Sequence, residues 1–171
     1  MGSDLVIGKR PELLYNVNQD DAVIGSIDRN EAHSEETLHR SGIVFILRRD
    51  RSILIQHRSQ AKVLFPDCYD ASAAFHVMYG ETYAAAADRE LKEETGISTK
   101  LTYVGKFKHY DPPENQFVAV FIGISNEPVT IDRNEASDAT FCSKLEVERI
   151  VASGKITPWL RDGWRIVRDL I

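Results

Sequence analysis

Glu81-Thr82-Tyr83-Ala84-Ala85-Ala86-Ala87-Asp88-Arg89-Glu90-Leu91-Lys92-Glu93-Glu94-Thr95-Gly96-Ile97 is the run from which the rest of the chain can be read. Its composition predicts a helix over residues 83–95, with Thr82 as N-cap and Gly96 as the stop, since glycine best takes the left-handed conformation past a helix end. Ala84, Ala87 and Leu91 form an apolar stripe small enough to let the helix lie close to a sheet. Glu90, Glu93 and Glu94 fall within an arc of about 100°. Like charges at these spacings cost roughly 0.2–0.5 kcal/mol per pair in water, and a bound divalent cation would reverse that penalty. Oxygen ligands without thiols suit Mg2+, with Mn2+ as the alternative. The matching chemistry is phosphate hydrolysis: the ion neutralises anhydride oxygens and activates water while a spare glutamate takes the proton.

Working outward, residues 13–17 and 22–27 are apolar-rich runs around the polar turn Asn18-Gln19-Asp20-Asp21 and predict a hairpin. Residues 30–39 are polar and read as a helix. Residues 41–47 and 52–56 flank Arg48-Arg49-Asp50-Arg51 as a second hairpin, the start of the core sheet. Residues 71–78 read as a strand. Residues 101–108 and 117–124 make a third hairpin, turning through Asp111-Pro112-Pro113-Glu114-Asn115. An extended run ends at Phe141, a helix covers residues 144–153, and Thr157-Pro158 opens a last helix running to Ile171. The expectation is one α/β domain over residues 1–171, an α/β/α sandwich around a mixed β-sheet. Residues 1–40 would supply a hairpin and a helix, and residues 41–171 the core.

The 171 residues carry 21 basic and 26 acidic side chains, a net charge of −5, so there is no basic field to hold nucleic acid. No apolar run approaches the roughly 18 residues of a membrane span, and no secretory signal is visible, which makes the cytoplasm the default expectation. Cys68 and Cys142 lie far apart without metal-ligand spacing and read as reduced thiols. Met1-Gly2-Ser3 reads as an expression remnant, because Val6 stands where a myristoylation site needs a hydroxyl.

Glu81, Arg89, Glu90, Leu91, Glu93, Glu94, Gly96 and Ile97 together resemble the Nudix box, G-x5-E-x7-R-E-U-x-E-E-x-G-U, with U a bulky aliphatic residue. The resemblance implies the Nudix fold and a hydrolase that cleaves a phosphoanhydride in a small-molecule diphosphate, with dimers common in the family. It implies Glu93 and Glu94 as principal metal ligands, Glu90 as a further ligand or the base, and Arg89 as the group orienting one of these acids. Glu81 would support the start of the helix. The first box glycine is replaced by Phe75, preceded by Ala74, whose backbone carbonyl can still serve as a ligand. The Phe75 side chain must enter the core or narrow the substrate pocket.

A broader likeness over roughly residues 12–125 points to the isopentenyl-diphosphate isomerase branch of Nudix proteins, carried by Leu38-His39-Arg40, by residues 56–62 and by Phe65-Pro66. It implies Arg58 and Lys62 as substrate-diphosphate contacts, and it aligns His33, His39, His76 and Glu114 with that isomerase's metal ligands. The isomerase itself needs a cysteine and a second glutamate to move a proton at carbon, and this chain has Ala74 and Gln116 there. The chain therefore reads as a hydrolase relative of that branch. Its substrate class is a nucleoside diphosphate derivative or a related diphosphate, and Glu114 is an extra acid able to reach metal or act as base. An isomerase-like enzyme and a catalytically impaired nucleotide-binding module are the alternatives.

Overall fold

The structure is a computed structural model that describes residues 12–171; the reading of Met1, Gly2 and Ser3 lies outside the described residues. In chain order the elements are β1 (Leu13–Val17), β2 (Val23–Asp28), α1 (Arg29–Ser34), β3 (His39–Leu47), β4 (Ile53–Arg58), β5 (Tyr69–Asp70), β6 (Ala73–His76) and α2 (Tyr83–Thr95). They continue with β7 (Leu101–Asp111), β8 (Glu114–Ile124), β9 (Ala136–Cys142), α3 (Lys144–Ser153) and α4 (Pro158–Val167). This is the expected α/β arrangement, with helices on both faces of a mixed sheet.

β3 is the hub. It runs parallel to β8 from His39↔Gln116 to Leu47↔Ile124 and antiparallel to β6 from Ser41↔His76 to Val44↔Ala73. It meets β1 at Asn16↔His39 and β4 at Leu47↔Ile53. A strand with neighbours on both edges and helices on both faces must be apolar throughout, and Ile43 to Leu47 is an unbroken apolar run, all of it buried. On one face Ile43, Phe45 and Leu47 pack against Trp159, Leu160 and Trp164 of α4. On the other, Val44 and Ile46 pack against Ala86, Ala87 and Leu91 of α2. Gly163 lets α4 settle onto the sheet, since a Cβ there would lie 2.2 Å from the end of Ile43.

β4 touches β3 at one register pair and then leaves it to pair with β9 and β5. The sheet therefore forks. Ser72 bridges the two arms: its hydroxyl accepts from Ile46 N of β3 at 2.7 Å and donates to the Leu54 carbonyl of β4 at 2.7 Å. Of the strand expected over residues 71–78, Ala73–His76 forms β6 on the β3 arm, while the short β5 just before Ser72 belongs to the β4 arm.

Three further expectations change. The helix expected over residues 30–39 stops at Ser34, the chain turns through Glu36 at positive φ, and His39 is already in the sheet, paired with Gln116. The third hairpin turns on Pro112-Pro113 alone, so Glu114 and Asn115 belong to β8 and are buried, not part of a solvated turn. α4 ends at Val167, short of Ile171. The limits of α2 are as expected: the Thr82 hydroxyl accepts from Ala85 N, and Gly96 is left-handed at φ 74°. Both cysteines are free thiols.

Candidate active site

Three strands and a helix deliver imidazoles and a carboxylate to one point. His33 comes from the last turn of α1, His39 opens β3, His76 ends β6 and Glu114 opens β8. Because β6 and β8 flank β3, their ends lie side by side. The potential ligand atoms of the four residues all lie within 4.8 Å of one another, the only such group of three or more among the described residues. The Nε2 atoms of His33, His39 and His76 stand 3.4, 3.7 and 3.4 Å from the Glu114 carboxylate.

This cluster has the character of a metal centre. His33 Nε2 and His39 Nε2 are buried without a hydrogen-bond partner, a costly arrangement unless something else takes the lone pairs. His39 Nδ1 is 2.8 Å from the Thr37 carbonyl, which fixes the proton on that nitrogen and turns the Nε2 lone pair toward the cluster. Burial lowers the pKa of His33, and it lowers that of His76 to about 4, so both imidazoles are neutral at pH 7. Burial alone would raise Glu114, but its contacts with His39 and His76 hold it well below the usual carboxylate range. Three imidazoles and one carboxylate fit a divalent transition ion such as Mn2+ or Zn2+.

The acidic helix lies beyond the other side of β6. Arg89 donates to Glu81 through Nε at 2.7 Å and Nη2 at 2.9 Å, and to Glu90 through Nη1 at 2.6 Å. It reaches Glu93 at 3.4 Å. Glu93 has a 61% exposed side chain, while Glu94 is buried and accepts from Gln56 Nε2 at 3.0 Å. Burial raises the pKa of Glu90, and it raises that of Glu94 well above the ordinary value, with the neighbouring charges of Glu90 and Glu135 adding to the latter. These acids are neighbours without being gathered like the histidine cluster. An oxygen-liganded ion at Glu90 and Glu94 would offset the cost of holding the Glu94 charge out of water.

A cavity of about 500 Å³ opens beside the histidine cluster, where Arg29, His33, His76 and Glu114 line it, and no side chain of α2 borders it. Arg58, Lys62, Asn134 and Glu135 also line it. Ile43, Val118, Leu64 and Trp159 supply apolar wall, with Ala74 and Gln116 beside the polar groups. Arg58 is tied to Asp70 at 3.0 Å and to the carbonyls of Phe65 and Leu64, so it lends the cavity a fixed positive field. Lys62 is paired with Glu135. Phe75 borders the cavity but packs within the core on the α2 side, over Gly42, where a Cβ would come within 2.5 Å of its ring.

Sequence reasoning missed Arg29, Trp159, Asp70 and Glu135. Asp70 is fully buried and accepts from Thr157, Trp159 and Arg58, which fixes two cavity-wall side chains at once. An acid, an indole and an arginine separated by up to about a hundred positions carry no local signal.

The geometry agrees with what the chain is similar to. The family model of the NUDIX domain matches residues 37–161. A prenyl-diphosphate phosphatase of Methanosarcina mazei is 30% identical over 157 residues, 88% of this chain and 92% of that one. An isopentenyl-diphosphate Delta-isomerase of Serratia proteamaculans is 32% identical over 118 residues, 66% of each chain. Among solved structures, DR0079 of Deinococcus radiodurans superposes with a TM-score of 0.78 at 26% identity, covering 90% of this chain and 98% of that one. The chain belongs to the Nudix family and has its fold. It is a Nudix hydrolase, acting on acid anhydrides in small diphosphate compounds.

Proposed function

We propose that the protein hydrolyses the phosphoanhydride of an organic diphosphate with an apolar carrier group, such as a prenyl diphosphate, with Mg2+ (or Mn2+) at the acidic helix. The observation that carries this reading is a single cavity lined both by charged side chains, among them Arg29, Arg58, Lys62 and Glu135, and by the apolar Ile43, Val118, Leu64 and Trp159. The relative named a prenyl-diphosphate phosphatase supports it. A nucleoside diphosphate derivative is the second reading, favoured by the Trp159 ring as a stacking surface and by the amides of Asn134 and Gln116 beside it.

Glu90, Glu93, Glu94 and the Ala74 carbonyl would hold the Mg2+, and His33, His39, His76 and Glu114 a second ion. When bound, such ions neutralise anhydride oxygens and lower the pKa of water. Arg29, Arg58 and Lys62 supply the remaining positive charge for the diphosphate, which a protein of net charge −5 must provide locally. Arg89 keeps Glu81, Glu90 and Glu93 in place. Isomerisation is disfavoured because Ala74 and Gln116 border the cavity where a proton at carbon would have to move, and neither side chain transfers one. An impaired binding module is disfavoured because the Phe75 ring is housed by Gly42.

The test is Mg2+-dependent cleavage of prenyl diphosphates, read as phosphate release, and of nucleoside diphosphate derivatives, read as formation of the nucleoside monophosphate, beside Glu94→Gln and Glu93→Gln. The expected result is metal-dependent release lowered by about 10²-fold or more in Glu94→Gln. Undiminished turnover in both variants would remove the acidic helix from the mechanism.

A further inference from the structure

Hydrolysis at phosphorus needs a group to take the proton of the attacking water, and most carboxylates of the site are committed. Glu114 faces three imidazoles. Glu90 accepts from Arg89 at 2.6 Å, and Glu94 is buried and accepts from Gln56. Glu93 is exposed and shares Arg89. A fifth carboxylate, Glu135, lines the cavity itself, and its side-chain partner is Lys62.

The fold holds Glu135 in register with the acidic helix. The segment after β8 docks on the C-terminal end of α2: Thr130 N donates to the Thr95 carbonyl at 2.8 Å and Asp132 N to the Glu94 carbonyl at 3.1 Å. Asp132 then closes a turn, its side chain accepting from Asn134 N and its carbonyl from Glu135 N and Ala136 N. The Glu135 carbonyl is pinned from the other side by Ser59 N at 2.9 Å, on the loop that carries Lys62. Backbone bonds thus tie Glu135 both to the end of α2 and to the lysine loop. Its charge acts on both Glu90 and Glu94.

We infer that Glu135 is the proton acceptor of the hydrolysis, masked by Lys62 until a diphosphate draws the lysine away. This rests on the anhydride-hydrolysis reading above. Of Arg58 and Lys62, Lys62 is the better able to exchange partners, because Arg58 is locked by Asp70 and two carbonyls whereas Lys62 has one flexible contact. With its ammonium on the phosphates, the freed Glu135 carboxylate takes one proton from water. The water oxygen forms the new bond to phosphorus, the bridging P–O bond breaks, and its electron pair stays on the oxygen of the departing phosphate. A masked base also leaves the empty cavity with one fewer bare negative charge, which eases entry of an anionic substrate.

The full chain is assayed with Mg2+ on a C15 prenyl diphosphate and on ADP-ribose, and binding of non-hydrolysable imidodiphosphate is measured by calorimetry. For Glu135→Gln the expected kcat is about 10²–10⁴-fold lower. Its imidodiphosphate affinity is expected unchanged or tighter, because Lys62 is released. Lys62→Met is expected to lose at least tenfold in imidodiphosphate affinity. A Glu135→Gln enzyme within tenfold of wild-type kcat overturns the inference, as does loss of imidodiphosphate affinity in that variant. Wild-type protein that forms neither phosphate and prenyl monophosphate from the first substrate nor AMP and ribose 5-phosphate from the second overturns the hydrolase reading for both classes, and this inference with it.

Discussion

Glu94 shows how a single side chain can oppose folding. It is buried, accepts one hydrogen bond and has a pKa raised well above 4.5. The stability contributed by its protonated form is fully present below about 4.5 and is lost as the pH rises through the raised folded value. In chelator at pH 7.5, Glu94→Gln is therefore expected to raise the melting temperature by several degrees, because the amide keeps the Gln56 contact without a charge. With Mg2+ added, wild type should gain stability and the variant should not. A variant that melts lower in chelator would show that the carboxylate contributes more to the fold than its burial indicates. Gly42 makes a second case at this scale. A Cβ there meets the Phe75 ring at 2.5 Å, so Gly42→Ala should lose about 1–3 kcal/mol in denaturant titration, and Gly42→Ala with Phe75→Leu should recover part of it.

Among the elements, α2 was legible to the residue because its determinants are local: a threonine cap, a run of strong helix formers and a glycine stop. Gly96 is expected to be costly to replace. Alanine at its left-handed φ of 74° should lose about 1–2 kcal/mol, and its Cβ would also touch Thr130, on the segment that positions Glu135. Hydrogen exchange is the check: faster exchange at Thr130 and Asp132 N–H in Gly96→Ala would show that helix end and loop share one support. β8 was harder to delimit. Pro112-Pro113 followed by polar residues reads as a long turn, but Glu114 and Asn115 pair with Asp111 and Tyr110 of β7 and are buried. The parallel partner β3, which meets β8 from Gln116 onward, lies more than seventy positions away, beyond the reach of local patterning. The polar run through His39 was misread for the same reason.

At the level of the whole molecule, the acidic helix could be read from a single run of sequence, whereas the histidine cluster is spread over α1, β3, β6 and β8 and was reached only through a resemblance. Composition says nothing about which strands lie side by side. The cluster makes a prediction about global stability. Zn2+ at a hundredfold excess over Kd should stabilise the fold by about 2.7 kcal/mol, roughly 5–10 °C for a chain of this size. His39→Ala should abolish that gain while leaving the Mg2+ effect through Glu94. Equal responses in the two proteins would take the metal away from the histidines.

The single register pair at Leu47↔Ile53, with Ser72 wedged behind it, gives the sheet the geometry of a pair of callipers. The jaws are the β3–β6–β8 arm and the β4–β9 arm, and the ligand cavity lies in the gap between them. A small change in angle at the pivot is multiplied along the jaws. On the prenyl-diphosphate proposal, a bulkier or smaller residue at position 72, remote from the charged groups, should shift the chain length of the preferred substrate, read as kcat/KM across a series of prenyl diphosphates.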